Sequence, residues 1–93
     1  MRKNIRVEVT QEDIDEGMRR SSISCAIARR ISAIVGRVVT VLNRPAGDSP
    51  VAYTWDDDGS IVYWELTQKA GRWIKAFDAG EPVKPFVTWI RGI

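Results

Sequence analysis

Cys25 is the side chain in this sequence best suited to nucleophilic chemistry. If Ser21 or Ser22 caps a helix, Cys25 falls in its first turn. There the positive end of the helix dipole, with Arg29 one turn further on, would lower the thiol pKa. That arrangement would suit a reactive or redox-sensing thiol. A base and a resolving thiol are both missing, because the chain has one Cys and no His. A small apolar residue chosen for packing is therefore the simpler reading of Cys25. The same two counts exclude an intrachain disulfide, an all-Cys zinc site and a histidine general base.

Carboxylates are the next candidates. The run Asp56-Asp57-Asp58-Gly59 can be laid on a calcium loop that starts at Thr54, with Asp56, Asp58, Gly59, Ile61 and Glu65 at the expected positions. Thr54 stands where a carboxylate is needed, and the flanks alternate like strands. The run is better read as a hairpin turn. Glu12, Asp13, Asp15 and Glu16 crowd one short helical turn. Acid–base catalysis needs two carboxyls in unlike environments, so these four read as partners of the helix dipole. No catalytic residue, metal site or cofactor site is expected.

Basic residues offer a third kind of chemistry. Lys69, Arg72 and Lys75 recur every three residues, and Arg19, Arg20, Arg29, Arg30 and Arg37 surround the Cys25 segment. Basic residues beside exposed aromatics mark nucleic-acid surfaces, and Arg29, Lys69, Arg72 and Lys75 are the candidate contacts. The net charge is only +2, and no recognised nucleic-acid-binding motif is present. A protein partner is the leading expectation and nucleic acid the alternative.

These residues must be positioned by a small set of elements. With 93 residues, 44% hydrophobic and 28% charged, the chain reads as a single globular domain over 1–93. Ile5–Val9 alternates as a strand. Thr10 with Asp13 forms a variant capping box, and Gly17 ends the short helix. A second helix runs from Ser21 or Ser22 to Val35, with Gly36 as its stop. Ile23, Ile27, Ile31 and Ile34 form its core stripe. Opposite them, Ser21, Cys25, Ala28 and Ser32 make a stripe of small residues, a candidate contact face for the first helix, for a second copy in a homodimer, or for a partner.

Arg37–Leu42 reads as a strand and Arg44–Pro50 as a loop. Asp58-Gly59 signals a two-residue hairpin turn. That register sets Trp55 opposite Val62, Tyr53 opposite Trp64 and Val51 opposite Leu66, all on one buried face. Thr67 caps a third helix whose stripe is Ala70, Trp73, Ile74 and Phe77. Gly80 ends it, and Phe86–Ile90 is the last strand. The expected fold is α+β, a two-layer sandwich of a mostly antiparallel sheet with helices on one face, in the order β-α-α-β-β-β-α-β. Neither a signal peptide nor a membrane span is recognisable, which implies a reducing cytoplasm.

Two stretches also carry a resemblance. Ile5-Arg-Val-Glu-Val-Thr-Gln-Glu-Asp-Ile-Asp-Glu-Gly17 is followed by Cys25-Ala-Ile-Ala28. Trp73-Ile-Lys-Ala-Phe-Asp-Ala-Gly80 is followed by Pro85-Phe86. Together they resemble a family of small accessory proteins of tailed bacteriophages and prophages, whose members carry Cys-x-x-Cys-Pro-Ile-Ala in the first region. Here Ser22 replaces the first of those cysteines and Ala26 the proline. The resemblance implies a phage-encoded protein working in a host cytoplasm, without a particular activity.

Overall fold

The computed structural model describes residues 4–43 and 49–92. Most of the Arg44–Pro50 loop lies outside the described residues. The elements are β1 (Asn4–Val9), α1 (Gln11–Glu16), α2 (Ala26–Val35), β2 (Thr40–Leu42), β3 (Val51–Trp55), β4 (Ile61–Glu65), α3 (Gln68–Asp78) and β5 (Phe86–Gly92). The strands form one antiparallel sheet in the order β1-β5-β4-β3-β2. The fold is the α+β arrangement that the sequence patterning implies.

Local chemistry sets the helix ends. The Thr10 hydroxyl accepts from the Asp13 backbone N–H, while the Asp13 carboxylate accepts from the Thr10 N–H at 2.9 Å, completing a capping box. Thr67 caps α3 through the Ala70 N–H. At the other end of α3, Gly80 adopts φ +78°, its N–H bonds the Phe77 carbonyl, and the Glu81 N–H bonds the Ala76 carbonyl. This pattern is a Schellman motif, and it satisfies carbonyls the helix leaves open.

The start of α2 differs from expectation. Ser21 Oγ accepts from the Ser24 N–H, but it caps only an isolated turn. The helix proper begins after Cys25, its N-cap residue, whose side chain makes no cap bond. Ile23 therefore precedes the helix and is exposed, as is Ile34 in the last turn; Ile27 and Ile31 carry the core stripe. Gly17 lets this region close up: a Cβ there would sit 2.6 Å from the Ala26 nitrogen and 2.7 Å from the Asp13 carbonyl oxygen. Only a residue without a side chain lets the end of α1 meet the start of α2.

The β3–β4 hairpin exists, but its register is shifted by one residue. The Gly59 N–H bonds the Asp56 carbonyl, and the Asp56 N–H bonds the Ser60 carbonyl. Gly59 is left-handed at φ +85°. The connection thus has three residues, a turn followed by a glycine bulge, instead of two. Trp55 consequently pairs with Ile61, Tyr53 with Tyr63 and Ala52 with Trp64. The expectation that Trp55 and Trp64 share a face is wrong. Ala52, Thr54, Val62 and Trp64 face the helices; Tyr53, Trp55, Ile61 and Tyr63 face away.

The core lies between the inner sheet face and the helices. Val7 and Val9 of β1, Val41 of β2, Ala52 of β3, Trp64 of β4 and Ile90 of β5 meet Ile27 and Ile31 of α2 and Ala70, Ile74 and Phe77 of α3. Trp73 stacks on Phe86 with ring centroids 4.8 Å apart, and its Nε1–H donates to the Lys84 carbonyl. The two buried threonines of the sheet are hydrogen-bonded. Thr54 Oγ1 donates to the Val38 carbonyl, and the Thr67 and Thr88 hydroxyls bond each other at 2.7 Å.

Trp64 is 9% exposed and Trp55 58%. Trp64→Ala should cost on the order of 3 kcal/mol, whereas Trp55→Ala should stay within about 0.5 kcal/mol of the parent. Urea unfolding of the two variants checks this. Equal losses would restore the two-residue-turn register.

Candidate functional site

Because the core residues face one way, no helix among the described residues covers the other face of the sheet. Alternation along each strand places there Arg6 and Glu8 of β1, Val87, Trp89 and Arg91 of β5, Ile61, Tyr63 and Glu65 of β4, Tyr53 and Trp55 of β3, and Leu42 of β2. Trp89 is 52% exposed, and Leu42, Ile61, Tyr63 and Val87 are exposed as well. The Tyr53 and Tyr63 rings lie 6.0 Å apart in a tilted pair. Large apolar side chains concentrated on one uncovered face are the usual mark of an interaction surface.

The charges on this face are already matched. Arg6 pairs with Glu8 at 3.3 Å and Arg91 with Glu65 at 2.5 Å. At the hairpin end, Arg37 donates to the Trp55 carbonyl and bridges Asp57 at 2.5 Å, with Asp56 at 3.7 Å. Asp58 accepts from the backbone and hydroxyl of Ser60. The acidic run that matched a calcium loop is thus engaged in shaping and holding the turn. The face as a whole is aromatic, aliphatic and close to neutral.

The small-residue stripe proves to be internal. Cys25 and Ala28 are buried, with α1 packed against α2, so neither is available to a second copy or a partner. Ser32 Oγ accepts from the Val39 N–H and ties the helix to the approach to β2. Ser21 is occupied by the turn before α2. What covers the stripe is the chain itself, and the reading of Ser21, Cys25, Ala28 and Ser32 as a partner face is corrected accordingly. The Cys25 thiol pKa is raised, first by burial, against the lowering expected for a first-turn thiol.

Arg29 is also committed. Its guanidinium lies 3.7 Å from both Glu12 and the buried Asp13, linking α2 to α1, so it is no free phosphate ligand. Arg37 serves the hairpin, and the Arg19 guanidinium lies against Gly80. Lys69, Arg72 and Lys75 remain exposed on α3, with Lys69 Nζ 5.8 Å from the Phe86 ring centroid. Since α3 covers the inner sheet face, this basic stripe and the aromatic face lie on opposite sides of the molecule. A groove lined by Ile14, Met18, Phe77 and Val83 also opens between the α1–α2 loop and the connector before β5.

Sequence reasoning misses Tyr53, Trp55 and Trp89 as outer-face residues, while the register it uses already turns Ile61 outward. For Tyr53 and Trp55 a signal is present: Asp at the first and Gly at the fourth position of Asp56–Gly59 favour a four-residue turn, which inverts β3. Among the described residues there is no cluster of three potential metal ligands, and no helix is long and apolar enough to cross a membrane. Comparison with protein-family models, curated proteins and solved structures found no match.

Burial of Cys25 has a measurable consequence. In the native protein the thiol should react with a disulfide reagent far more slowly than after denaturation. Its proton is held more tightly in the folded chain than the ordinary value of 9.0 implies. The stability from this group is therefore complete below that pH and is lost as pH rises through the raised folded value. Rapid labelling of folded protein at neutral pH would contradict the packing role.

Proposed function

We propose that this chain is a non-enzymatic binding protein, encoded by a tailed phage or prophage, that engages a host or phage protein in the host cytoplasm. The observation that carries the reading is the exposure of Trp55 and Trp89 on a sheet face without helical cover. Trp and Tyr contribute disproportionately to protein interfaces, because they bury large areas while losing few torsional degrees of freedom. Each arginine placed on this face or at its hairpin end already has a carboxylate partner. The complementary surface is therefore apolar and weakly charged, the chemistry of another protein. The phage context rests on the paired terminal motifs, and the absence of catalysis on the buried Cys25 thiol and the engaged carboxylates.

Nucleic acid is the alternative reading, supported by the exposed Lys69, Arg72 and Lys75. Single-stranded nucleic acid is commonly held where stacking rings and cations share one groove. Here the rings and the cations are on opposite sides of the sheet, which favours the protein partner.

Affinity capture from host lysate with and without nuclease, repeated with Trp55→Ser/Trp89→Ser and with Lys69→Gln/Arg72→Gln/Lys75→Gln, separates the two. The expected result is a protein retained after nuclease, lost from the double tryptophan variant, and unaffected by the triple glutamine variant. Loss of a hot-spot tryptophan typically costs about 2 kcal/mol or more of binding. Capture abolished by nuclease or by the glutamine changes, or indifferent to the tryptophans, overturns the proposal.

A further inference from the structure

We infer that the hairpin end of the open sheet face binds a short proline-rich segment of a partner protein, held as a polyproline II helix with a basic residue towards the β3–β4 turn. The inference rests on the reading of this face as a protein-binding surface and names the kind of segment it takes. The patch consists of two cross-strand pairs, Tyr53–Tyr63 and Trp55–Ile61. Trp55 is 58% exposed, Tyr63 41% and Ile61 37%, and Tyr53 is half-buried. The two phenol rings lie 6.0 Å apart with their planes inclined at 44°, so they open as a V. Two ion pairs bound the patch, Glu65–Arg91 on one side and Arg37–Asp57 at the turn. Among the described residues β4 and β5 pair only at Trp64–Gly92 and Glu65–Arg91, so Trp89 lies past the first of these ion pairs.

Size decides against a folded occupant and against a helix. At these exposures the four side chains offer on the order of 300 Å². Each partner in a stable complex of folded proteins contributes about 800 Å². A docked helix spreads its anchors over two turns, about 11 Å, whereas the two cross-strand pairs are about 7 Å apart along the strands. An extended peptide with free N–H groups would need backbone acceptors. Yet β3 and β4 are interior strands, each with a neighbour on both sides, so the patch offers side chains. A proline-rich segment has few N–H groups to satisfy, and its conformation is already formed before binding. Its carbonyls accept from the Trp55 indole N–H and the hydroxyls of Tyr53 and Tyr63. Residues two or three apart along it are separated by about 6–9 Å, which matches the spacing of the two pairs. Charge sets the flank. Asp56 and Asp57 share the Arg37 guanidinium, and Asp58 accepts from Ser60, so the turn keeps a surplus of negative charge that favours Lys or Arg beside it.

Fluorescence anisotropy of a labelled decaproline peptide with two arginines at one end tests this, against the parent, Trp55→Ser and Tyr63→Ser. Circular dichroism and melting temperature confirm that each variant folds. The parent should bind with a Kd below about 1 mM, and the peptide should shift the Trp55 indole N–H resonance. Each substitution should weaken binding by about tenfold or more. So should replacing alternate prolines of the peptide by alanine with both arginines kept. Removing the arginines should weaken binding a few-fold at low salt and make little difference at high salt. Absence of binding at millimolar peptide, binding that survives either substitution, or equal binding of the alanine peptide overturns the inference. The decaproline is also added to the lysate capture, where it should displace the retained protein. A protein retained through Trp55 that the peptide fails to displace means another occupant, a folded partner or a helix, and overturns the inference while the protein-binding reading stands. That reading falls separately, if no protein is retained after nuclease.

Discussion

Gly59, left-handed at φ +85°, lets three residues join β3 to β4, and that loop length decides which side of each strand meets the helices. A side chain changes face with every residue, so a connection one residue longer inverts β3 against β4. With this turn, Ala52 and Thr54 lie under the helical layer beside Trp64, while Tyr53 and Trp55 are turned outward. Two small residues in the middle of the inner face allow the helices to approach the sheet. The large residues that this choice displaces make the opposite surface aromatic. Arg37 then fixes the result by bridging the Trp55 carbonyl to Asp57 across the turn.

A second constraint closes the helical layer. Asp13 is buried at the N-terminus of α1, where it accepts from the backbone and hydroxyl of Thr10 and faces Arg29 of α2. A carboxylate at that depth needs such partners, and these partners come from both sides of the α1–α2 contact. Gly17 provides the close approach that lets this contact form. Cys25 and Ala28 are covered as a consequence, which is why the thiol acts as packing and the small-residue stripe offers nothing to a partner.

The local signals in the sequence were readable because their physics is local. Thr10 with Asp13, Thr67 before α3, and Gly36 and Gly80 after their helices act within one turn of chain, and each lies where its chemistry requires. The element order and one-sided layering follow from the same periodicities. What could not be read depends on contacts between distant segments. The stripe Ser21, Cys25, Ala28, Ser32 is a feature of one helix, but its cover is set by the Gly17 contact. Ser21 looked like a helix cap and closes only a single turn. The outward facing of Tyr53 and Trp55 was hidden by one misjudged turn length. Asp58-Gly59 suggested the shorter loop, while Asp56 at the first and Gly59 at the fourth position carry the longer one.

The result is a domain with one packed side and one open side. Arg6 and Arg91 are held in ion pairs on the open side, while Lys69, Arg72 and Lys75 stand exposed on α3 at the back. Among the described residues the sheet has one face covered by helices and one uncovered aromatic face. The most direct measurement is the relaxation of the four indole N–H resonances by a soluble gadolinium chelate, which broadens protons according to their distance from solvent. Trp55 and Trp89 should broaden first, and Trp64 beneath the helices should persist longest. Equal broadening of Trp55 and Trp64, or protection of Trp55 and Trp89 in the isolated monomer, would contradict it.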